Sequence, residues 1–371
     1  MIFARLALGL AAAGSLTAAT ACGRRSDGDA VAIGLAAMVA RPTMQPVRQG
    51  AQLAIRHLNQ ERPPGTPPFV LRTVSTDLTS AVQIATTLRA DPAVVGVVGH
   101  TDSGSSLEAA PIYEDAEHGG ADALVAISPT STSVALSGRS KWLFRVCPSD
   151  LAASQAAARF ALDSLGSRRA AILYRNDAYG RGWTKAFVDA YRAGGGRIVV
   201  RRPHLSGMRE WEAYAGLVRR EAPDLVLFPG SPSDAATFIE TLRASGPAPR
   251  VLGGDAASDL ANRGDRFAGV HYTAFFLADR PPNDSARVFI AEYQRQFGTR
   301  PDQAAALAYD AAMLIGRAVI AVGPDRKKVR DHVAGIGRSS PAVTGVTGPI
   351  AFDEQHDVVN KPVVIARIGG R

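Results

Sequence analysis

Cysteine is scarce: only Cys22 and Cys147 occur in 371 residues. No disulfide framework can hold this fold, and no C-x-x-C pairs offer a zinc site. The seven histidines are dispersed without metal-ligand spacing. The chain lacks H-E-x-x-H, G-x-x-x-x-G-K-[ST] and G-x-S-x-G, so the common hydrolase, metalloprotease and nucleotide-binding signatures are missing. The net charge is +8, yet the basic residues lie in scattered pairs such as Arg168-Arg169, Arg201-Arg202, Arg219-Arg220 and Lys327-Lys328. Without a basic stripe interleaved with aromatics, which form 6% of the chain, nucleic acid is not the expected partner. No cofactor or metal is called for. What is present is 46% hydrophobic residues with 20% charged ones, in a chain long enough for two domains.

Long apolar runs are also rare. Arg5 precedes an apolar run over 6–16, too short for a stable membrane span, and small residues follow to Cys22. This reads as an export signal over 1–21 and a polar tether over 22–30. Ala19-Thr20-Ala21 fits ordinary cleavage. The same cut leaves Cys22 first, which resembles the lipobox of bacterial lipoproteins, with Ala19 where leucine is usual. Lipidation of Cys22 is expected in preference to free secretion. Cys147 would then stand alone, packed as a small buried hydrophobe.

From residue 31 onward, short apolar runs alternate with amphipathic ones. Strands are expected over 31–35, 69–74, 94–98 and 124–127, with helices over 47–59, 81–89 and 107–117. After an extended segment at 142–146 the alternation restarts, with strands at 170–174, 198–201, 225–228 and 251–252. Helices over 151–165, 183–193, 211–221 and 235–244 separate them. A crossing at 269–276, helices over 286–297, 303–321 and 328–336, and a closing strand pair at 347–353 and 362–368 complete the chain. The pattern is α/β, two rounds of β-α units on parallel sheets covered on both faces. Two lobes joined by several crossings make a hinge with a cleft between them.

The stretch 94–110 organises the chain. A valine-rich strand runs into Gly99-His100-Thr101-Asp102-Ser103-Gly104-Ser105 and then a helix. Unpaired N–H groups and the peptide dipoles make such a helix mouth an anion site. Gly104 lets a ligand approach the backbone, and Ser103 adds a hydroxyl donor. A second hydroxyl-rich turn, Ser128-Pro129-Thr130-Ser131-Thr132-Ser133, ends the next strand. His100 is expected to pack and hydrogen-bond.

At this point the chain resembles the type I periplasmic binding proteins, in particular the leucine/isoleucine/valine-binding group of branched-chain amino-acid ABC importers. The resemblance runs from 31 to 368. It is carried by Val97-Val98-Gly99-His100 with 103–113, Ile127-Ser128-Pro129, Phe144-Arg145-Val146-Cys147-Pro148-Ser149-Asp150, Ala178-Tyr179-Gly180, Leu252-Gly253-Gly254-Asp255, Ala308-Tyr309-Asp310 and the run 345–353. It implies two Rossmann-like lobes joined by a three-strand hinge, with lobe 1 at 31–147 and 278–358 and lobe 2 at 148–277 and 359–371. It implies that Ser103 and Thr132 hold an amino acid's carboxylate and ammonium, with Thr130 offering its carbonyl. Asp255 would pair with the ammonium, and Tyr179 would close from the second lobe. Taken on its own, Asp255 also reads as a turn-capping carboxylate. Two departures bear on the ligand side chain. Ser231 stands near an expected aromatic, and Arg41 lies in a first loop that lacks the usual glycine-proline and aromatic. The pocket would be wider or more polar than one built for leucine. Arg41, pointing inward, would favour a second acidic group; otherwise it is a solvated loop arginine.

The implied protein is not an enzyme. It is an extracytoplasmic monomer, membrane-anchored through Cys22, that delivers an amino-acid-like ligand to an ABC permease. The alternative is a ligand-sensing or accessory lipoprotein of the same fold acting on another membrane partner.

Overall fold

The computed structural model describes residues 30–37, 42–75 and 78–369. Cys22, the leader and Arg41 lie outside the described residues. The chain begins with β1 (Val31–Ala36), α1 (Gln45–Glu61), β2 (Phe69–Thr73), α2 (Ala81–Ala90), β3 (Val94–Gly99), α3 (Ser103–Tyr113), β4 (Val125–Ser128) and β5 (Leu143–Arg145). These five strands form one parallel sheet in the order β2-β1-β3-β4-β5.

The second round comprises α4 (Asp150–Arg159), β6 (Arg169–Arg175), α5 (Ala178–Ala193), β7 (Arg197–His204), α6 (Glu212–Glu221), β8 (Leu225–Phe228), α7 (Pro232–Ala244), β9 (Arg250–Gly253) and β10 (His271–Ala274). Helices α8 (Asp284–Phe297), α9 (Gln303–Val322) and α10 (Arg326–Gly335) return to the first sheet. There follow β11 (Val343–Gly345), β12 (Gly348–Ile350) and β13 (Val364–Arg367). The second sheet has the order β13-β10-β9-β8-β6-β7.

Period-two alternation divides each sheet between two helical layers. Ile33 and Leu35 pack into the cluster containing α1 and α9, whereas Ala32 and Ala36 face the cluster of α2 and α3. In the second sheet Leu173 and Val226 face one cluster, and Ile172 and Leu225 the other. The chain passes between the sheets three times: after β5, after β10 and before β13.

Two expectations change. The segments 347–353 and 362–368 do not pair with each other. β12 pairs antiparallel with β11, and β13 pairs antiparallel with β10, so the second sheet is not wholly parallel. Closeness in sequence suggests a hairpin, but the two segments belong to different lobes. Second, α9 is long and apolar enough to cross a bilayer by length and composition. Asp310 and Arg317 interrupt the run, and the helix is the buried core of the first lobe.

Helices α1 and α9 cross closely at Gly50, where an added Cβ would lie 2.0 Å from the Ala305 carbonyl oxygen. Gly216, within α6, has nothing within 4 Å of the same position. Gly50→Ala should therefore lower stability by about 1–3 kcal/mol, while Gly216→Ala should raise it by about 0.5–1 kcal/mol through helix propensity. Urea unfolding of both variants checks this, and effects of the same sign would contradict the packing.

Candidate functional site

The two hydroxyl-rich turns follow neighbouring strands, β3 and β4, and so lie side by side at the carboxyl edge of the first sheet. The first turn is shorter than expected. Asp102 caps α3 by accepting from Ser105 N at 2.9 Å, and the Asp102 carbonyl accepts from Ser106 N at 3.0 Å. The helix therefore starts at Ser103, not near Leu107, and ends at Tyr113. Glycine and serines disguise a helical turn that the aspartate cap makes favourable.

Ser103 is thus the first helical residue, and its buried Oγ accepts from Ser133 N at 3.2 Å. Its hydroxyl hydrogen stays available to a ligand. The N–H groups of Ser103 and Gly104 have no carbonyl in their own helix. A Cβ on Gly104 would meet only the Asp102 carboxylate, at 3.4 Å, so the backbone there is accessible.

Thr130 does not offer its hydroxyl, which donates to the Thr101 carbonyl at 2.6 Å and ties the two turns together. Ser128 and Ser131 both donate to the His100 carbonyl, at 2.5 and 3.2 Å. The His100 ring is buried and meets the Tyr113 hydroxyl at 3.0 Å, and burial pulls its pKa down to about 4. Thr132 differs from these neighbours: its Oγ1 is fully buried, faces the Asp150 carboxylate and makes no other hydrogen bond among the described residues.

Arg145, at the end of β5, sets the position of this turn. Its Nη1 donates to the Thr132 and Ser133 carbonyls at 2.9 and 2.7 Å. Its Nη2 reaches Ser137 Oγ at 2.7 Å and Asp357 Oδ2 at 2.6 Å.

The second lobe closes on this edge. Helix α5 packs against α3 and against the short helical turn Val134–Leu136. Ser133 Oγ donates across the seam to the Ala178 carbonyl at 3.4 Å. The Tyr179 hydroxyl donates to Asp255 Oδ1 at 3.0 Å. Burial pushes the Asp255 pKa up to about 6, against the opposing effect of that hydrogen bond. Burial and the charge of Asp255 also raise the pKa of Tyr179. Gln303, the first residue of α9, donates to the Asp255 carbonyl at 2.9 Å and to Ser258 Oγ at 3.1 Å, and accepts from Phe275 N at 2.9 Å. Asp255 is therefore held from both lobes.

Ser103, Thr132, Tyr179 and Asp255 are all buried along this seam. Ser231 is not part of the cluster. Its hydroxyl caps α7, accepting from Asp234 N at 3.2 Å and donating to Asp234 Oδ2 at 2.6 Å. No hydrogen bond among the described residues links it to the seam.

Arg145, Asp150 and Gln303 were missed as site residues. The first two lie inside a motif quoted for the resemblance, but nothing in that motif shows which partners they meet. A cavity of about 390 Å3 lies elsewhere, on the first lobe, between α1, α8, α9 and the β11–β12 pair. It is lined by His57, Glu61, Tyr309 and Arg317 among others, and does not include the turns.

A family model described as periplasmic binding protein matches residues 33–371. The chain belongs to the periplasmic binding protein family. A Leu/Ile/Val/Thr-binding protein of Salmonella typhimurium is 25% identical to this periplasmic binding protein over 266 residues, covering 71% of this chain and 69% of the relative. Among solved structures, the branched-chain amino acid transporter substrate binding protein LivJ of Streptococcus pneumoniae, in complex with isoleucine, has a TM-score of 0.81. It is 21% identical, with 91% of this chain and 96% of that one covered. A solute binding protein of an ABC transporter from Rhodopseudomonas palustris, in complex with 3,4-dihydroxy benzoic acid, has a TM-score of 0.77. It is 20% identical, with 91% and 93% covered. The family is one of extracytoplasmic solute-binding proteins, and the two-lobed α/β architecture of this chain is theirs.

Asp255 gives the unliganded protein a pH signature. Its native pKa of about 6 lies above the ordinary carboxyl value of 3.8. Its contribution to stability is fully present below 3.8 and is lost as pH rises through 6. Between pH 4 and 7 the wild type should lose roughly 2 kcal/mol relative to Asp255→Asn. Urea unfolding across that range measures the difference, and parallel pH profiles would contradict the burial of an ionising carboxylate.

Proposed function

We propose that this protein is the extracytoplasmic receptor of an ABC importer and closes on an amino acid or an amino-acid-like small molecule. The observation that carries the reading is the convergence of complementary groups from both lobes. On one side, the α3 mouth and the Ser103 hydroxyl suit a carboxylate. On the other, the Thr130 carbonyl, the Thr132 hydroxyl and the Asp255 carboxylate suit an ammonium. Tyr179 orients Asp255 from the second lobe. Contacts from both lobes are what let a ligand favour the closed state.

In this reading an ABC permease receives the closed form, and lipid on Cys22 holds the monomer at the membrane. The lobes divide at 31–147 with 278–358, and at 148–277 with 359–371. Ser231 acts through the α7 cap instead of touching the ligand.

A thermal-shift panel of the twenty common amino acids, together with benzoate and 3,4-dihydroxybenzoate, tests the reading on residues 30–371. At least one α-amino acid should stabilise the protein. For that amino acid, Ser103→Ala and Thr132→Val should each weaken binding by about 10-fold to 100-fold, the loss expected for a hydrogen bond to a charged group. A clear shift with the aromatic acids and none with any amino acid would overturn the assignment.

A further inference from the structure

Asp150 opens α4 immediately after the first crossing. It is fully buried, yet its carboxylate has no hydrogen-bond partner among the described residues beyond the Thr132 hydroxyl that faces it. Buried carboxylates so short of donors are costly and therefore uncommon. Arg145 does not donate to it: both of its Nη atoms are committed to the Thr132 and Ser133 carbonyls, Ser137 and Asp357, and its Nε makes no hydrogen bond among the described residues.

Asp150 is also not an isolated case. Trp183 Nε1 from the second lobe is likewise buried without a partner, and Thr132 Oγ1 from the first lobe faces the Asp150 carboxylate and makes no other hydrogen bond among the described residues. The positions of the glycines show where these groups lie. A Cβ on Gly182 would sit 3.4 Å from Asp150 Oδ2 and 3.6 Å from Ser133 Oγ. A Cβ on Gly254 would sit 2.1 Å from the Tyr179 hydroxyl and 3.3 Å from Trp183 Nε1. Asp150 therefore faces the seam between the lobes, and Trp183 lies beside the Tyr179–Asp255 pair.

We propose that Asp150 is a second ligand-contacting carboxylate, so that the cationic end of the bound molecule rests between Asp150 and Asp255, with Thr132 Oγ1 beside it. This rests on the amino-acid reading above and narrows it. Burial and the neighbouring charge of Asp255 raise the Asp150 pKa well above the carboxylate range, with the Thr132 hydroxyl and Arg145 opposing. The Tyr179 hydroxyl donates to Asp255 alone, and the Thr132 hydroxyl is the donor that faces Asp150. A ligand with an ammonium neutralises that site, whereas an acid without one meets repulsion. The fold itself does not demand an ammonium, since the Rhodopseudomonas palustris protein holds an aromatic acid. The selectivity comes from the paired carboxylates.

The test compares L-leucine with 4-methylpentanoate, the same acid without its amino group. Every other amino acid that shifts in the panel is likewise paired with its deaminated counterpart. Titration calorimetry on the wild type should show binding of the amino acid and at least 100-fold weaker binding of the deaminated acid. Asp150→Asn should weaken the amino acid by about 10-fold to 100-fold, while the deaminated acid binds as well as before or better. Asp150→Glu, which keeps the charge, should recover part of the loss.

A folded Asp150→Asn protein that binds the amino acid as the wild type does would overturn this proposal and leave the parent reading standing. Equal losses for both ligands, or unfolding of both variants, would make Asp150 a structural group and also overturn it. A wild type that binds no α-amino acid would reject the parent reading itself.

Discussion

The site depends on one buried guanidinium. Arg145 is 2% exposed, and it connects the end of β5 and the nearby turn bearing Thr132 with Asp357, distant in sequence and ahead of the third crossing. Its donors take the carbonyls of Thr132 and Ser133, which fixes the direction of that turn. The Ser133 N–H then meets Ser103 Oγ, and the Thr132 hydroxyl is buried at the seam. A flexible turn would lose ordering entropy each time it met a ligand, and the planar guanidinium removes much of that cost in advance.

Around this anchor, polarity is divided unevenly between the lobes. The first lobe presents the α3 mouth and hydroxyls, with His100 held neutral by burial. The second presents Asp150 and Asp255. Closing the lobes removes water from all of these groups and strengthens each interaction. In the proposed reading both carboxylates lie where the ligand's cationic end would sit, so that a bound cation couples binding to closure through electrostatics as well as contact. Nearer the hinge, burial lowers the pKa of Lys361 while Asp310 opposes it. Asp310 in turn accepts from Val346 N at 2.8 Å and Thr347 N at 2.9 Å.

Much of the fold was legible in the sequence because burial writes it there. The runs at 94–98 and 225–228 are valine- and leucine-rich since both faces of their sheets are covered. The pair Tyr309-Asp310 and the turn at 345–347 read as separate motifs. The structure shows they are one contact: Gly345 lies so close to Asp310 that a Cβ would sit 2.5 Å from its carboxylate. The start of α3 was not legible, because Gly104 and three serines have poor helix propensity and only the Asp102 cap reveals the helix. The pairing of β13 with β10 was hidden for a different reason, since it joins segments about ninety residues apart. Asp150 stands in the sequence only as the end of the run 144–150, ahead of a helix expected over 151–165, and its burial at the seam is a property of three dimensions alone. Ser231 illustrates the converse: position suggested a ligand role, and local geometry gives it a cap.

The central claim is that one small molecule is held by both lobes at once, at the mouth of α3. A crystal structure of the protein with its best-binding amino acid tests this most directly. The account predicts the carboxylate within hydrogen-bond distance of Ser103 Oγ and the first N–H groups of α3, with Asp255 of the second lobe at the ammonium. A ligand bound instead in the cavity between α1, α8, α9 and the β11–β12 pair, with the seam filled by side chains, would contradict it.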